Sequence, residues 1–278
     1  MNIGIIGQGF VGSAIREGLK DHYSVLTYDL DETKCNSTHL EVCTKSDIIF
    51  ACVPTPMRKD GVCDTRILES VIDDLVSEFD NTGNYPIIVI KSTVAPGTTE
   101  RLTSKYLRIC FSPEFLTEAN SFNDFKNQTR IILGGDSYIT SVVKDMFKEV
   151  FPQIPIIETK SQEAEMIKYF TNCFLATKVI FANQMYDICE ASNIDYNEVV
   201  LHTLHDKRIG SSHLRVPGPD GDRGFGGHCF PKDLAAMIAY ANKNGADDYF
   251  LKAVEIFNRG IRTNRDWEKM KGRAVSDD

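Results

Sequence analysis

Short apolar runs rich in β-branched residues recur along the first 160 positions, separated by stretches in which apolar residues return every three or four places. The runs NIGIIG (2–7), YSVLTYD (23–29), SDIIFACVP (46–54), PIIVIKST (86–93), LRICFSPE (107–114) and RIILGG (130–135) predict six strands, and PIIET (155–159) a seventh. SAIREGLK (13–20), ILESVIDDLVSEF (67–79) and ITSVVKDMFKEV (139–150) carry the helical period between them. Strands that alternate with helices predict a parallel sheet covered on both faces.

The pattern changes near residue 160. Residues 162–191 contain neither Gly nor Pro and predict one helix, about 45 Å long at ~1.5 Å per residue. YNEVVLHTLH (196–205) predicts another, and 233–245 and 250–270 predict two more. Residues 208–231 are rich in Gly and Pro and predict a long loop of the kind that carries function. Two domains follow: 1–160, an α/β domain, and 161–278, a helical domain opened by the long helix and carrying that loop.

Composition narrows the class. The 278 residues are 42% hydrophobic and 25% charged, as in an ordinary globular chain. A net charge of -8 argues against nucleic acid as a partner. MNIGIIGQGF lacks the basic and apolar regions of a signal peptide, and no window suits a membrane helix. The eight cysteines form no CxxC pair, which predicts reduced thiols in a cytoplasmic compartment rather than disulfides or a metal site.

Two glycine-rich stretches carry the chemistry. In GQGFVG, Gly7, Gly9 and Gly12 follow the first strand and open a helix, where backbone can approach a pyrophosphate and N–H groups can bind it. This is the Rossmann-type, doubly wound arrangement. Asp29, ending the second strand, can accept both ribose hydroxyls and would repel a 2′-phosphate, which favours NAD over NADP. The plainer reading is a glycine-rich turn without a ligand. In GFGGHCFPKD (224–233), Cys229 has small residues before it and Lys232 and Asp233 after it. Those neighbours suit a nucleophile, since a nearby lysine favours thiolate; the plainer reading is a buried structural thiol. Lys168 and Asn172 stand one turn apart in an apolar part of the long helix, where each needs a partner such as a substrate oxygen. Glu114 and Glu118, and Thr93, follow predicted strands at the sheet end where ligands bind, although carboxylates at a helix start and a threonine in a turn are common without function.

In order, GQGFVG, VPTP, KSTVAPGTT, SPEFLTEAN, the Lys168/Asn172 helix, DKRIG and GFGGHCFPKD resemble the motif set of the UDP-glucose/GDP-mannose dehydrogenase family, over residues 1 to about 260. VPGPDG..GFGG.CFPKD is most similar to its UDP-glucose-oxidising members. The resemblance implies oxidation of a nucleotide sugar's C6 alcohol to the carboxylate with two NAD, a reaction serving polysaccharide biosynthesis, in a homodimer. It implies that Cys229 forms a thiohemiacetal and then a thioester, that Lys168 and Asn172 stabilise oxyanions, and that Asp233 assists proton transfer. Glu118 and Thr93 match residues that hold the hydrolytic water, and Glu114 a companion carboxylate. The cofactor would lie against Gly7, Gly9, Phe10, Val11, Gly12, Asp29, Val53, Pro54, Thr55, Thr93 and Lys232. The sugar would meet Glu114, Phe115, Leu116, Glu118, Lys168 and Asn172, with Arg208 from a neighbouring subunit and His213, Arg215 and Gly226 from a wrapping loop. Family members also carry a third domain over the nucleotide, and this sequence stops at Asp278 before one. Two other readings remain: a 6-phosphogluconate or β-hydroxyacid type of dehydrogenase, which leaves Cys229 without a task, and a truncated, non-catalytic homologue that binds NAD or a nucleotide sugar.

Overall fold

A computed structural model describes residues 1–277. The chain packs as two compact units: Met1–Thr55 with Thr65–Lys168, and Pro56–Asp64 with the chain from Tyr169 onward.

The first unit runs β1 (Asn2–Ile6), α1 (Phe10–Leu19), β2 (Ser24–Tyr28), α2 (His39–Lys45), β3 (Ile48–Ala51), α3 (Arg66–Thr82), β4 (Ile87–Ile90) and α4 (Thr98–Thr103). It continues through β5 (Ile109–Phe111), α5 (Ser121–Lys126), β6 (Ile131–Gly135), α6 (Ser137–Val150), β7 (Ile156–Thr159) and the start of α7 (Ser161–Ala191). The strands form one sheet in the order β2-β1-β3-β4-β5-β6-β7. Alternation along each strand sends side chains to opposite faces. Ile87 and Val89 join α1, α5 and α6 on one side. Ile88 and Ile90 join α2, α3 and α4 on the other. A central strand such as IIVI is therefore apolar at every position, as burial on both faces requires.

One expectation fails within the sheet. β5 and β6 pair antiparallel, Cys110 with Gly135 and Phe111 with Gly134, while the other neighbours are parallel. The segment between them does not cross the sheet. Its helix α5 packs on α1, with Phe125 so near Gly18 that a Cβ there would lie 2.3 Å from the ring. β6 therefore enters the sheet from the opposite end.

The second unit holds the rest of α7, α8 (Tyr196–Thr203), α9 (Cys229–Lys243) and α10 (Tyr249–Ile261). Cys173, Ala176 and Ile180 of α7 pack with Phe225, Leu234 of α9 and Val254 of α10. The polar side of α7 is not the only exposed one: Phe170, Phe174, Phe181 and Ile188 are 49–72% exposed. Two sequence expectations are corrected here. The predicted helix over 250–270 ends at Ile261, because Arg262 turns into extended backbone; a 3-10 turn follows at Asp266–Lys269. The predicted loop over 208–231 also ends early, since α9 begins at Cys229 with Pro231 in its first turn, where a missing N–H costs nothing. No helix among the described residues is long and apolar enough to cross a membrane.

Candidate active site

The turn after β1 is built for close backbone approach. Gly7 has φ +90°, and its N–H donates to Tyr28 O on β2 at 2.9 Å. A Cβ on Gly12 would lie 1.9 Å from Gly7 O, so only glycine lets α1 sit this near the strand end. A Cβ on Gly9 would meet nothing within 4 Å, which leaves the space beside the helix start open. Gly9 caps α1 without any side chain, with Phe10 and Val11 as the first helical residues. The Asp29 carboxylate accepts from Gln8 N at 2.5 Å and from Asp31 N at 2.9 Å, which fixes it beside the glycine turn. Cys35 supports it: its Sγ accepts the Asp29 N–H at 3.1 Å. An open glycine, a helix N-terminus and an adjacent carboxylate fit a dinucleotide's pyrophosphate and ribose.

The loops after β3 and β4 are tied together. Thr55 Oγ1 donates to Thr93 O at 2.6 Å, and Ser92 Oγ donates to Val53 O at 2.6 Å, which gathers Val53, Pro54, Thr55 and Thr93 at one end of the sheet. Glu165 of α7 caps the following turn by accepting from Gly97 N (2.6 Å) and Thr99 N (2.7 Å). Lys91 ends β4 in near-complete burial and donates to Ser112 Oγ (3.2 Å) and Pro113 O (3.0 Å). Burial pulls its pKa down to about 8 despite the opposing pull of Cys52 and Glu114.

Lys168 is also enclosed. Its Nζ donates to Glu114 O at 2.6 Å and to Glu114 Oε1 at 2.9 Å, and lies 5.4 Å from the Phe115 ring centre. Glu114 Oε2 accepts from Leu116 N at 2.6 Å. Glu114 is thus a buried counter-ion in the loop after β5, not a carboxylate at a helix start. Glu118 opens a 3-10 turn and is exposed.

In the second unit, Asp233 is the hub. It receives Asn172 Nδ2 at 2.6 Å and Lys232 Nζ at 2.5 Å, all three being nearly sealed from solvent. Burial alone would lower the Lys232 pKa, but Asp233, with smaller help from Cys63 and Cys229, more than offsets it and holds the ammonium above the ordinary lysine value. The partners that Lys168 and Asn172 needed are therefore protein carboxylates. Cys229 is the first residue of α9 and half-buried. The preceding turn is fixed by polar side chains. Asn258 exchanges two hydrogen bonds with the Phe225 backbone, Asn183 Oδ1 accepts from Gly224 N, and Asp266 accepts from Gly227 N. Arg262 ion-pairs with Asp220. Of the three glycines before Cys229, only Gly227 has open space where a side chain would stand. A Cβ would lie 2.3 Å from Asn258 Oδ1 at Gly224 and 2.3 Å from Arg262 Nη2 at Gly226. Arg208 pairs with Asp206 at 2.5 Å and points into solvent, as does Arg215. His213 has φ +66° and lies 5.6 Å from the Phe230 ring.

Residues 36–154 match the NAD binding domain of the UDP-glucose/GDP-mannose dehydrogenase family, and residues 162–260 match its central domain. UDP-glucose 6-dehydrogenase AglM of Haloferax volcanii is 30% identical over 94% of this chain and 70% of its own length. The chain belongs to the UDP-glucose/GDP-mannose dehydrogenase family. A solved UDP-glucose dehydrogenase from the hyperthermophilic archaeon Pyrobaculum islandicum has the same fold (TM-score 0.84, 28% identity), covering 93% of this chain and 68% of that one. YtcA of Bacillus subtilis is 36% identical over 76% of this chain, and the chain spans half of YtcA's length.

As in this family, the first unit binds NAD. The family motifs pointed to Thr93, Lys168 and Cys229 but not to the residues that hold them. Lys91 lies inside KSTVAPGTT and was readable there as a charge in a buried strand end. Glu165, Asn183, Asn258, Arg262 and Asp266 carry no local signal, because each acts on a partner distant in sequence.

Proposed function

We propose that the protein oxidises the C6 alcohol of a nucleotide sugar, UDP-glucose foremost, to the carboxylate. The observation that carries this reading is Cys229 at the first position of α9, with Lys232 held cationic by Asp233 one turn on. A helix N-terminus and a fixed ammonium both stabilise negative charge on sulfur. NAD supplies the hydride acceptor, and two are consumed per sugar.

The chain's residues divide the remaining work. After the alcohol has lost a hydride and its O–H proton, Cys229 sulfur adds to the aldehyde carbon and the carbonyl electron pair moves to oxygen. The Lys168 ammonium and the Asn172 amide stabilise that oxyanion; Glu114 and Asp233 fix their directions. Loss of a second hydride from the same carbon leaves a thioester. Water held by Thr93 and Glu118 attacks it, the C–S bond breaks, and carboxylate leaves as the thiol is restored. Asp29 and the Gly7–Gly12 turn hold the cofactor, joined by Val53, Pro54 and Thr55. By the family motifs, Glu114, Phe115, Leu116 and Gly226 are assigned to the sugar, and Lys232 to the cofactor. Arg208, His213 and Arg215 close over the substrate, Arg208 from a second copy. The exposed Phe170, Phe174, Phe181 and Ile188 of α7 support a homodimer, which sedimentation would detect at twice 31.2 kDa.

Cys229→Ser is the test. Hydroxyl is a poor substitute for thiolate in both addition and departure, so uronate formation should fall at least about a thousandfold while NAD binding stays unchanged. Uronate formation within about tenfold of the parent would overturn the assignment.

A further inference from the structure

β6 runs against β5, so its start lies at the end of the sheet where β5 leaves it. The pairing of Cys110 with Gly135 and of Phe111 with Gly134, carried four residues beyond Phe111, brings Phe115 opposite Arg130. The two side chains meet there: the Arg130 guanidinium carbon stands 4.4 Å from the centre of the Phe115 ring. Had β6 run parallel to β5, Arg130 would stand at the far end of the sheet. The reversed strand thus delivers a cation to the segment Glu114–Thr117, all within the first unit.

Arg130 is half-buried, and among the described residues its guanidinium takes part in no ion pair or hydrogen bond. The acids that line the same cavity, of about 350 Å³, are engaged elsewhere. Asp124 accepts from Thr117 N at 2.8 Å and from Thr117 Oγ1 at 2.5 Å, and Glu114 accepts from Lys168 Nζ and Leu116 N. The Phe115 ring is therefore what Arg130 engages, as a planar guanidinium over an aromatic face. Lys168 Nζ lies 5.4 Å from the centre of the same ring. The neighbours of Phe115 are fixed by hydrogen bonds: Glu114 by Lys168, Leu116 by Glu114 and Thr117 by Asp124. Phe115 has no polar group in its side chain and is half-buried, so its place depends on packing and on these two cations.

We infer that Arg130 is a positioning residue for the nucleotide sugar: it stacks on Phe115 and holds the ring where the sugar meets it. The inference rests on the reading above that assigns Phe115 to the sugar. Arg130 acts through the ring and not on the reacting carbon. Without the guanidinium the ring must be ordered when the sugar arrives, and that cost falls on binding rather than on hydride transfer. The signature is a raised KM for the sugar with kcat and the KM for NAD nearly unchanged.

Two variants of the full chain test it. Arg130→Met keeps the length of the side chain and removes the charge, whereas Arg130→Lys keeps a cation over the ring. With UDP-glucose, Arg130→Met should raise KM about fivefold and leave kcat and the KM for NAD within about twofold, and Arg130→Lys should bring the sugar KM back to within about twofold of the parent. An unchanged sugar KM in Arg130→Met, no recovery in Arg130→Lys, or an equal rise in the KM for NAD would overturn the inference. Hydrogen exchange at the Leu116 and Thr117 amides reads the same hold without any substrate. It should be at least about threefold faster in Arg130→Met and close to the parent in Arg130→Lys. A parent that does not oxidise UDP-glucose would sink the reading of function, and exchange then decides the role of Arg130 by itself: equal exchange in the parent and Arg130→Met would overturn it.

Discussion

Two helices in this protein are entered through glycine-rich turns, and they use the same positive helix end in different ways. At α1 the turn ends on Gly9, which has open space beside it, so the groups presented there are backbone N–H. At α9 the turn ends on His228 and the next residue is Cys229, so the helix end acts on a side chain. The glycines differ accordingly. Gly12 is required because Gly7 O occupies the space a Cβ would need. Gly224 and Gly226 are required because Asn258 and Arg262 do. A glycine-rich motif is therefore not a statement about room for ligand; at only some of its positions is the missing side chain replaced by empty space.

The comparison breaks most severely at the charge network behind Cys229. Asp233→Asn leaves Lys232 buried without its counter-ion, and removing one partner of such a pair costs about 3–5 kcal/mol. Denaturant unfolding should show that loss, whereas Asp29→Asn, on the half-exposed α1 side, should cost less than about 1 kcal/mol. The two glycines of the first turn sharpen the contrast. Gly12→Ala should destabilise the protein by about 3 kcal/mol, since backbone must move. Gly9→Ala should leave stability within about 0.5 kcal/mol, yet weaken NAD at least tenfold by placing a methyl where pyrophosphate approaches. Thermal melts and NAD titration separate the two outcomes.

The last effect concerns Lys91, whose burial, unlike that of Lys232, is not matched by a bonded carboxylate. Its folded pKa of about 8 lies below the ordinary lysine value of 10.5. The unfolded chain therefore binds more protons between those values, and stability rises with pH there. The cost of burying the charge is fully present below pH 8 and vanishes above 10.5. Relative to Lys91→Met, the parent should gain stability as pH rises through that window; a difference independent of pH would show that the fold does not penalise the charge.

Much of the first unit was legible because buried parallel strands must be apolar throughout, and runs such as IIVI and IIFA stand out. Strand direction was not, since an apolar run reads the same either way, and β6 is reversed. The helices α2, α4 and α5 have six or seven residues, too few to display a period. The start of α9 was hidden by Pro231, which reads as a breaker although it is tolerated in a first turn. Of the site, the candidate residues were visible as motifs, Glu114 and Asp233 among them, but which of them pair was not. Lys168 and Glu114 are 54 positions apart, and Asn172 and Asp233 are 61 apart. Such pairs exist only once the chain has folded.

The central claim is that one carbon is oxidised twice through the Cys229 sulfur. Counting NADH against sugar consumed, with UDP-glucose as substrate, tests it most directly. The account predicts two NADH for each UDP-glucose, with uronate as the product. One NADH per sugar, with the aldehyde as the end product, would contradict it.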